Sequence, residues 1–145
     1  MSNDNWGSVA RFGMFIVGSE VVPEAEWLAI SPPGVPIHAA RVTAAAPWAP
    51  WQTDRDAVVL SDDVERGTTQ FASMALSAVV LAHSSSSIAG GPGWDDAVIA
   101  RLSSSLHAST AVTTNGLDCL RALGQCGVRQ PFIVFPPWFS EDAMR

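Results

Sequence analysis

Phe12-Gly-Met-Phe-Ile-Val17 is an unbroken apolar run that stops at Gly18. So short a run, without polar alternation, is what a strand buried on both faces looks like. Outward from it, Val22 to Ile30 (Val-Pro-Glu-Ala-Glu-Trp-Leu-Ala-Ile) has helical character, with Pro23 placed for a first turn. Ser31-Pro-Pro-Gly34 breaks the chain. Val35 to Ala44 reads as a second strand, and Pro47 to Trp51 as a Pro/Trp-rich loop. Thr53 to Met74 has a helical pattern that Gly67 and Thr68-Thr69 weaken. Leu76 to Ala82 is the next buried strand, running into a small-residue loop, His83-Ser-Ser-Ser-Ser-Ile-Ala-Gly-Gly91. Trp94 to Leu106 fits a helix with Asp95 and Asp96 in its first turn, where negative charge suits the dipole. A short strand, Ser109 to Val112, precedes a helix from Asn115 to about Leu123, capped by Thr113 or Thr114 and ending near Gly124 or Gly127. Phe132 to Phe135 reads as a last strand closed by Pro136-Pro137. This alternation predicts an α/β fold, a parallel sheet with helices on both faces. Ligands of such sheets bind beyond the carboxyl ends of the strands, here Gly18-Ser-Glu, the His83 loop, Thr113-Thr-Asn and Pro136-Pro-Trp.

Composition removes several chemistries. All eight basic residues of this 145-residue chain are arginine, and tyrosine is absent too. Without lysine there is no Schiff-base amine and no Walker-type phosphate loop. A formal net charge of −6, with arginines scattered along the chain, argues against nucleic-acid binding. Hydrophobic residues reach 48% and charged residues only 15%, so one domain with a real core is expected. The polar start Met1-Ser-Asn-Asp-Asn-Trp-Gly is unlike a signal peptide, and the apolar stretch Met74 to Ala82 is too short to span a bilayer. A cytoplasmic location and no membrane partner are expected. Cys119 and Cys126, seven apart around one helix, are expected to be buried as small hydrophobes.

The strand-end residues supply the candidate chemistry. Ser84 to Ser87 is either a cradle of hydroxyls and backbone N–H groups for a carboxylate or phosphate, or a solvated low-complexity loop. His83, where an apolar strand meets that loop, is the best acid/base candidate. Its structural alternative is a hydrogen-bonded, half-buried histidine. Glu20 and Glu24 directly follow the first strand and could face the crevice, whereas Asp62-Asp63 and Asp95-Asp96 are most simply solvated helix residues. His38 and His107 lie in other elements, and no spacing supports a metal site. Gly90-Gly91-Pro-Gly93 lacks dinucleotide-fingerprint spacing.

Taken in order, Arg11-Phe-Gly-Met-Phe-Ile-Val17, Glu24-Ala-Glu26 and Pro33-Gly-Val-Pro-Ile-His-Ala-Ala-Arg41-Val resemble the amino-terminal signature of maleate cis-trans isomerases and arylmalonate decarboxylases, of the aspartate/glutamate racemase superfamily. Leu81-Ala-His-Ser-Ser-Ser-Ser-Ile-Ala-Gly-Gly91 is similar to that family's first catalytic loop, usually Ala-Cys-Thr-Ser-x-Ser. Thr113-Thr-Asn-Gly-Leu-Asp-Cys-Leu-Arg-Ala-Leu-Gly124 resembles its Thr-rich turn and following helix, and Phe132-Ile-Val-Phe-Pro-Pro-Trp138 its strand ending in Thr-Pro-Tyr. The resemblance implies a pair of flavodoxin-like lobes with the site between them, each usually giving one cysteine to a small dicarboxylate, and no cofactor. Residues 1–145 would then be the amino-terminal lobe. His83 replaces the first-loop cysteine, Ser84 and Ser85 keep hydroxyls at the anion-binding positions, Glu20 stands for an asparagine, and Trp138 for the tyrosine. The chain stops at Arg145, about where the second lobe would begin, so the second cysteine is expected to have no counterpart.

The expectation is therefore a cofactor-independent isomerase or decarboxylase-like protein acting on a small dicarboxylate. His83 and Ser84 would be catalytic, with Ser85, Glu20, Thr114 and Trp138 binding substrate. Loss of the first cysteine favours the decarboxylase side, because decarboxylases of the family also lack it. The alternative is a truncated, non-catalytic lobe that binds small acids or dimerises, a homodimer imitating the two-lobe arrangement. An unrelated flavodoxin-like domain is the third reading.

Overall fold

The computed structural model describes residues 6–18, 20–43 and 62–135. Four parallel strands form its sheet: β1 (Phe12–Val17), β2 (Ile37–Val42), β3 (Ala78–Leu81) and β4 (Ala111–Thr114), in the order β2-β1-β3-β4. The opening run is thus a central strand. Phe15 pairs across to Ala40 on one side and Leu81 on the other. Side chains alternate across a strand, so β1 supplies both faces. Phe15 and Val17 enter one core with Val42, Val79 and Leu81, while Met14 and Ile16 enter the other with Val80.

Among the described residues five helices lie between and after the strands: α1 (Val22–Ile30), α2 (Asp62–Ala72), α3 (Ser84–Gly90), α4 (Trp94–Ser103) and α5 (Asn115–Gln125). In α2 the buried residues are Val64, Gly67, Thr68 and Phe71, the i, i+3, i+4, i+7 stripe of a helix with one face on a core. Val98 and Leu102 of α4 join the same layer. On the opposite face Trp27 of α1 packs beside Met14 and Ile16 and meets the Phe12 ring edge-on at 6.1 Å. Helices therefore cover both faces, as the alternation predicts. At the end of β2, Asp63 Oδ2 accepts the backbone N–H of Thr43 at 2.7 Å, tying α2 to the sheet and holding that carboxyl below the usual range.

Gly67 does not merely weaken α2. It is where the helix touches the sheet, since a Cβ there would stand 2.5 Å from Phe15 Cε1 and 2.9 Å from the Ala40 Cβ. Gly67→Ala gains up to about 1 kcal/mol of helix propensity but overpacks this contact, at a cost of about 1–3 kcal/mol. We expect a lower urea midpoint with an unchanged slope. A raised midpoint would show that α2 rides off the sheet at no cost.

Three expectations need correction. The segment after β3 is the helix α3 and not a loop, because its serines find partners inside the fold: Ser86 is fully buried and Ser87 Oγ donates to Asp95 Oδ1 at 2.7 Å. Phe132–Phe135 forms no strand, and Phe132 and Val134 are 94% and 81% exposed. A strand there would need a covering layer, but α5, the helix before it, buries none of its residues. That same exposure leaves Cys119 and Cys126 at the surface, against the expectation of burial. The Pro47–Trp51 loop and residues 53–61 of the expected second helix lie outside the described residues. No helix of the described residues is long and apolar enough to cross a membrane.

Candidate active site

The chain leaves β1 and β3 and enters α5 from β4 at one end of the sheet, and a cavity of about 380 Å³ opens there. Its polar lining is Glu20 after β1, Glu26 on α1, His83 and Ser84 after β3, and Asn115 at the start of α5. Trp27, Val22, Pro23 and Ala82 complete the wall. This is the place where parallel sheets take ligands.

The β1 side is fixed by Arg41. Its Nη1 donates to the Glu20 carbonyl oxygen at 2.6 Å, and its Nη2 ion-pairs with the Glu24 carboxylate. Glu24 is thereby committed to Arg41, and it is Glu26, not Glu24, that accompanies Glu20 on the cavity. Helical geometry explains the difference. Val22 and Glu26 are one turn apart and share a face, whereas Glu24 sits about 200° round from each. Partial burial raises the Glu20 carboxyl above its usual value.

His83 is buried, with its Nδ1 2.6 Å from Ser86 Oγ, a contact in which either group donates according to the tautomer. Burial pushes its pKa down to about 4, so the ring is neutral at pH 7. A neutral imidazole can accept a proton, but burial makes this one a weaker base than a solvated histidine. Asn115 reaches the same cavity because α5 presses closely on α3: a Cβ at Gly116 would lie 2.3 Å from the Ser87 Cβ.

The structure brings Glu20, His83 and Ser84 to one cavity and leaves Ser85 and Thr114 off its lining. Ser85 is half-buried but does not line the cavity. Thr114 is fully buried, and its Oγ1 accepts the Leu117 N–H at 3.4 Å, which makes it the cap of α5. Trp138 lies outside the described residues. Glu26, Trp27 and Asn115 were not singled out by the sequence. The helical spacing from Val22 holds the signal for Glu26, and the strand-end triplet Thr113-Thr-Asn that for Asn115. Among the described residues no thiol lines the cavity, and no three His, Cys, Asp or Glu side chains cluster as metal ligands would.

No protein-family model and no curated protein matches the sequence. Solved structures do. A cysteine-to-alanine form of the maleate isomerase Iso from Pseudomonas putida S16 with maleate superposes with a TM-score of 0.57 at 20% identity, over 79% of this chain and 49% of that one. A double mutant of arylmalonate decarboxylase in its liganded form gives 0.60 at 20% identity, over 82% and 47%. The fold is one lobe of the maleate isomerase type. The Nocardia farcinica maleate cis-trans isomerase, solved with a covalently bound succinylcysteine intermediate, matches this maleate-isomerase-type lobe equally well, at a TM-score of 0.60 and 19% identity over 79% and 48%. The lobe spans about half the length of these structures. At such identities the likeness is one of fold, and the cavity's own residues must carry any functional argument.

Proposed function

We propose that residues 1–145 act as one lobe that binds a small dicarboxylate, of maleate or malonate type, at the strand-end cavity and moves a proton at the carbon next to a carboxylate, without a cofactor. The observation that carries this reading is a buried, neutral His83 sharing a cavity with the Glu20 carboxyl, Ser84 and Asn115. His83 is the base, and Glu20, whose carboxyl keeps its proton to higher pH than usual, is the acid. Ser84 Oγ and the Asn115 carboxamide donate to carboxylate oxygens as charge builds on them. A carboxyl held above its usual pKa by burial opposes the approach of a second carboxylate less than an ordinary glutamate would.

Thiolate addition to a double bond has no agent among the cavity's described residues. Decarboxylation needs none. The bond to the departing carboxylate breaks, carbon dioxide leaves, and the remaining electron pair forms an enediolate that takes one proton from Glu20. Solvent then restores the Glu20 proton. In exchange His83 removes the α-proton of the product acid, the imidazolium gives that proton up to solvent, and Glu20 returns a solvent-derived proton to the enediolate. The test is incubation with phenylmalonate and with maleate, following carbon dioxide and fumarate, together with α-hydrogen exchange into deuterium oxide. His83→Ala should slow exchange by about 10²-fold or more. No turnover of either acid by the parent, with His83→Ala binding both as the parent does, would sink the catalytic reading.

A second reading rests on a different observation. Leu120 of α5 and Phe132, Ile133 and Val134 beyond it are exposed, at 65, 94, 56 and 81%, on a lobe half the length of its structural neighbours. Large apolar side chains exposed to this degree favour cover by a partner. A dimerisation module would sediment as a dimer, and charging Phe132 and Val134 would return it to a monomer. Monomeric sedimentation of the parent at about 100 μM, well above the usual Kd of a specific dimer, would remove this reading.

A further inference from the structure

At the opposite end of the sheet, the amino ends of β1 and β2, a second cavity of about 500 Å³ is lined by Trp6, Arg11, Pro36, His38, Met74 and Ala75. The strand-end chemistry above makes no use of it. Four described arginines, Arg41, Arg66, Arg101 and Arg121, each hold a carboxylate. Arg11 has no carboxylate partner among the described residues, although it is half-buried in a protein of net charge −6.

Its position is built, not incidental. The Arg11 backbone is clamped to the edge of β3, its N–H donating to Ser77 Oγ at 3.3 Å and its carbonyl accepting the Ser77 N–H at 2.8 Å. The preceding turn is anchored by Val9 N–H donating to the Gly34 carbonyl at 3.1 Å. Gly7 sits at φ +82°, and a Cβ there would stand 2.5 Å from Arg11 Nε and 2.6 Å from its Cγ. Only glycine both adopts that backbone and lets the arginine side chain lie across it. The turn at residues 6–9 thus brings the Trp6 indole, itself 84% exposed, to the same cavity as the guanidinium.

A guanidinium is a planar fork of donors that matches a carboxylate two bonds at a time. His38 adds a second polar group, and the rest of the wall is the apolar Trp6, Pro36, Met74 and Ala75. One fixed positive charge in mostly apolar surroundings suits a single negative charge on an apolar body. A phosphate dianion would want more donors than this wall offers. We propose that this cavity is a binding site for a small monocarboxylate with an apolar body, its carboxylate on Arg11 and its hydrocarbon part against Trp6 and Met74.

The experiment is a titration of the 15.3 kDa chain with hexanoate, followed by backbone amide NMR shifts. Saturable shifts are expected at Gly7, Arg11, His38 and Ala75 and not at Glu20, His83 or Ser84. Arg11→Gln should weaken hexanoate binding at least about tenfold, the loss of charge-assisted hydrogen bonds, and neutral hexanamide should bind at least about tenfold more weakly than hexanoate. Trp6→Ala, an exposed position that cannot disturb the core, should weaken it as well and stands in if Arg11→Gln fails to fold. His83→Ala should leave it unchanged. The proposal is overturned by the absence of saturable shifts, by shifts at the opposite end of the sheet, by equal binding of hexanamide, by unchanged binding in the folded variants, or by inorganic phosphate saturating the site in place of hexanoate.

Discussion

Phe15→Ala is expected to cost about 3–5 kcal/mol, a large share of the roughly 5–15 kcal/mol that holds a domain of this size together. Phe15 is fully buried on the central strand, between Ala40 and Leu81, and its ring meets that of Phe71 edge-on at 5.0 Å. Gly67 lets the α2 backbone come down onto the same ring. Truncation therefore opens a cavity that neither the strand register nor a close-packed helix can collapse into. Urea unfolding checks the figure. Phe71→Ala alone should be costly too, and the double variant should lose less than the sum of the two, because the two cavities merge. A loss under about 1 kcal/mol for Phe15→Ala would mean that the sheet and α2 do not meet at this residue.

Acid should destabilise the protein through His83, and the sign follows from its burial. The imidazole takes up a proton near pH 6.5 when unfolded and near 4 when folded. As pH falls through 6.5 the unfolded chain binds the proton first, so stability is lost progressively between pH 6.5 and 4, by about 3 kcal/mol in all. Stability against urea, measured at half-unit steps from pH 7 to 4.5, should fall in the parent and fall less in His83→Asn. Glu20 works in the opposite direction, since a raised carboxyl favours the folded state as pH drops. Asp63 acts only below its ordinary value of 3.8. The difference between parent and His83→Asn isolates the histidine. Parallel curves would place His83 in water and remove the basis for its neutral form at pH 7.

The strands were legible for a simple reason. A central parallel strand is buried on both faces, so its sequence must be apolar without alternation, and Phe12 to Val17 meets that demand within a single window. The limits of α1 were legible because Pro23 and Ser31-Pro-Pro mark them. Phe132–Phe135 looks the same as β1 by composition, yet it forms no strand. Apolarity states that a segment wants cover; whether cover exists depends on α5, which turns no buried residue toward it. The serine run misled for the converse reason. Its composition says loop, but a hydroxyl can enter a helix and the interior once each oxygen has a partner, and the partners His83 and Asp95 come from either side of it.

By itself the sequence determined the layer architecture, the end of the sheet where a site must lie, and the chemistries that the absence of lysine forbids. It also determined His83, Ser84 and Glu20 as strand-end residues, since those positions follow directly from where apolar runs stop. Only the tertiary structure decided which side chains face one another. Arg41 takes Glu24 and leaves Glu26 on the cavity, and burial makes His83 neutral. Periodicity along one chain records how much of each residue is covered. Which partner covers it, and with what charge, depends on other elements of the fold, as Glu24 on α1 depends on Arg41 of β2.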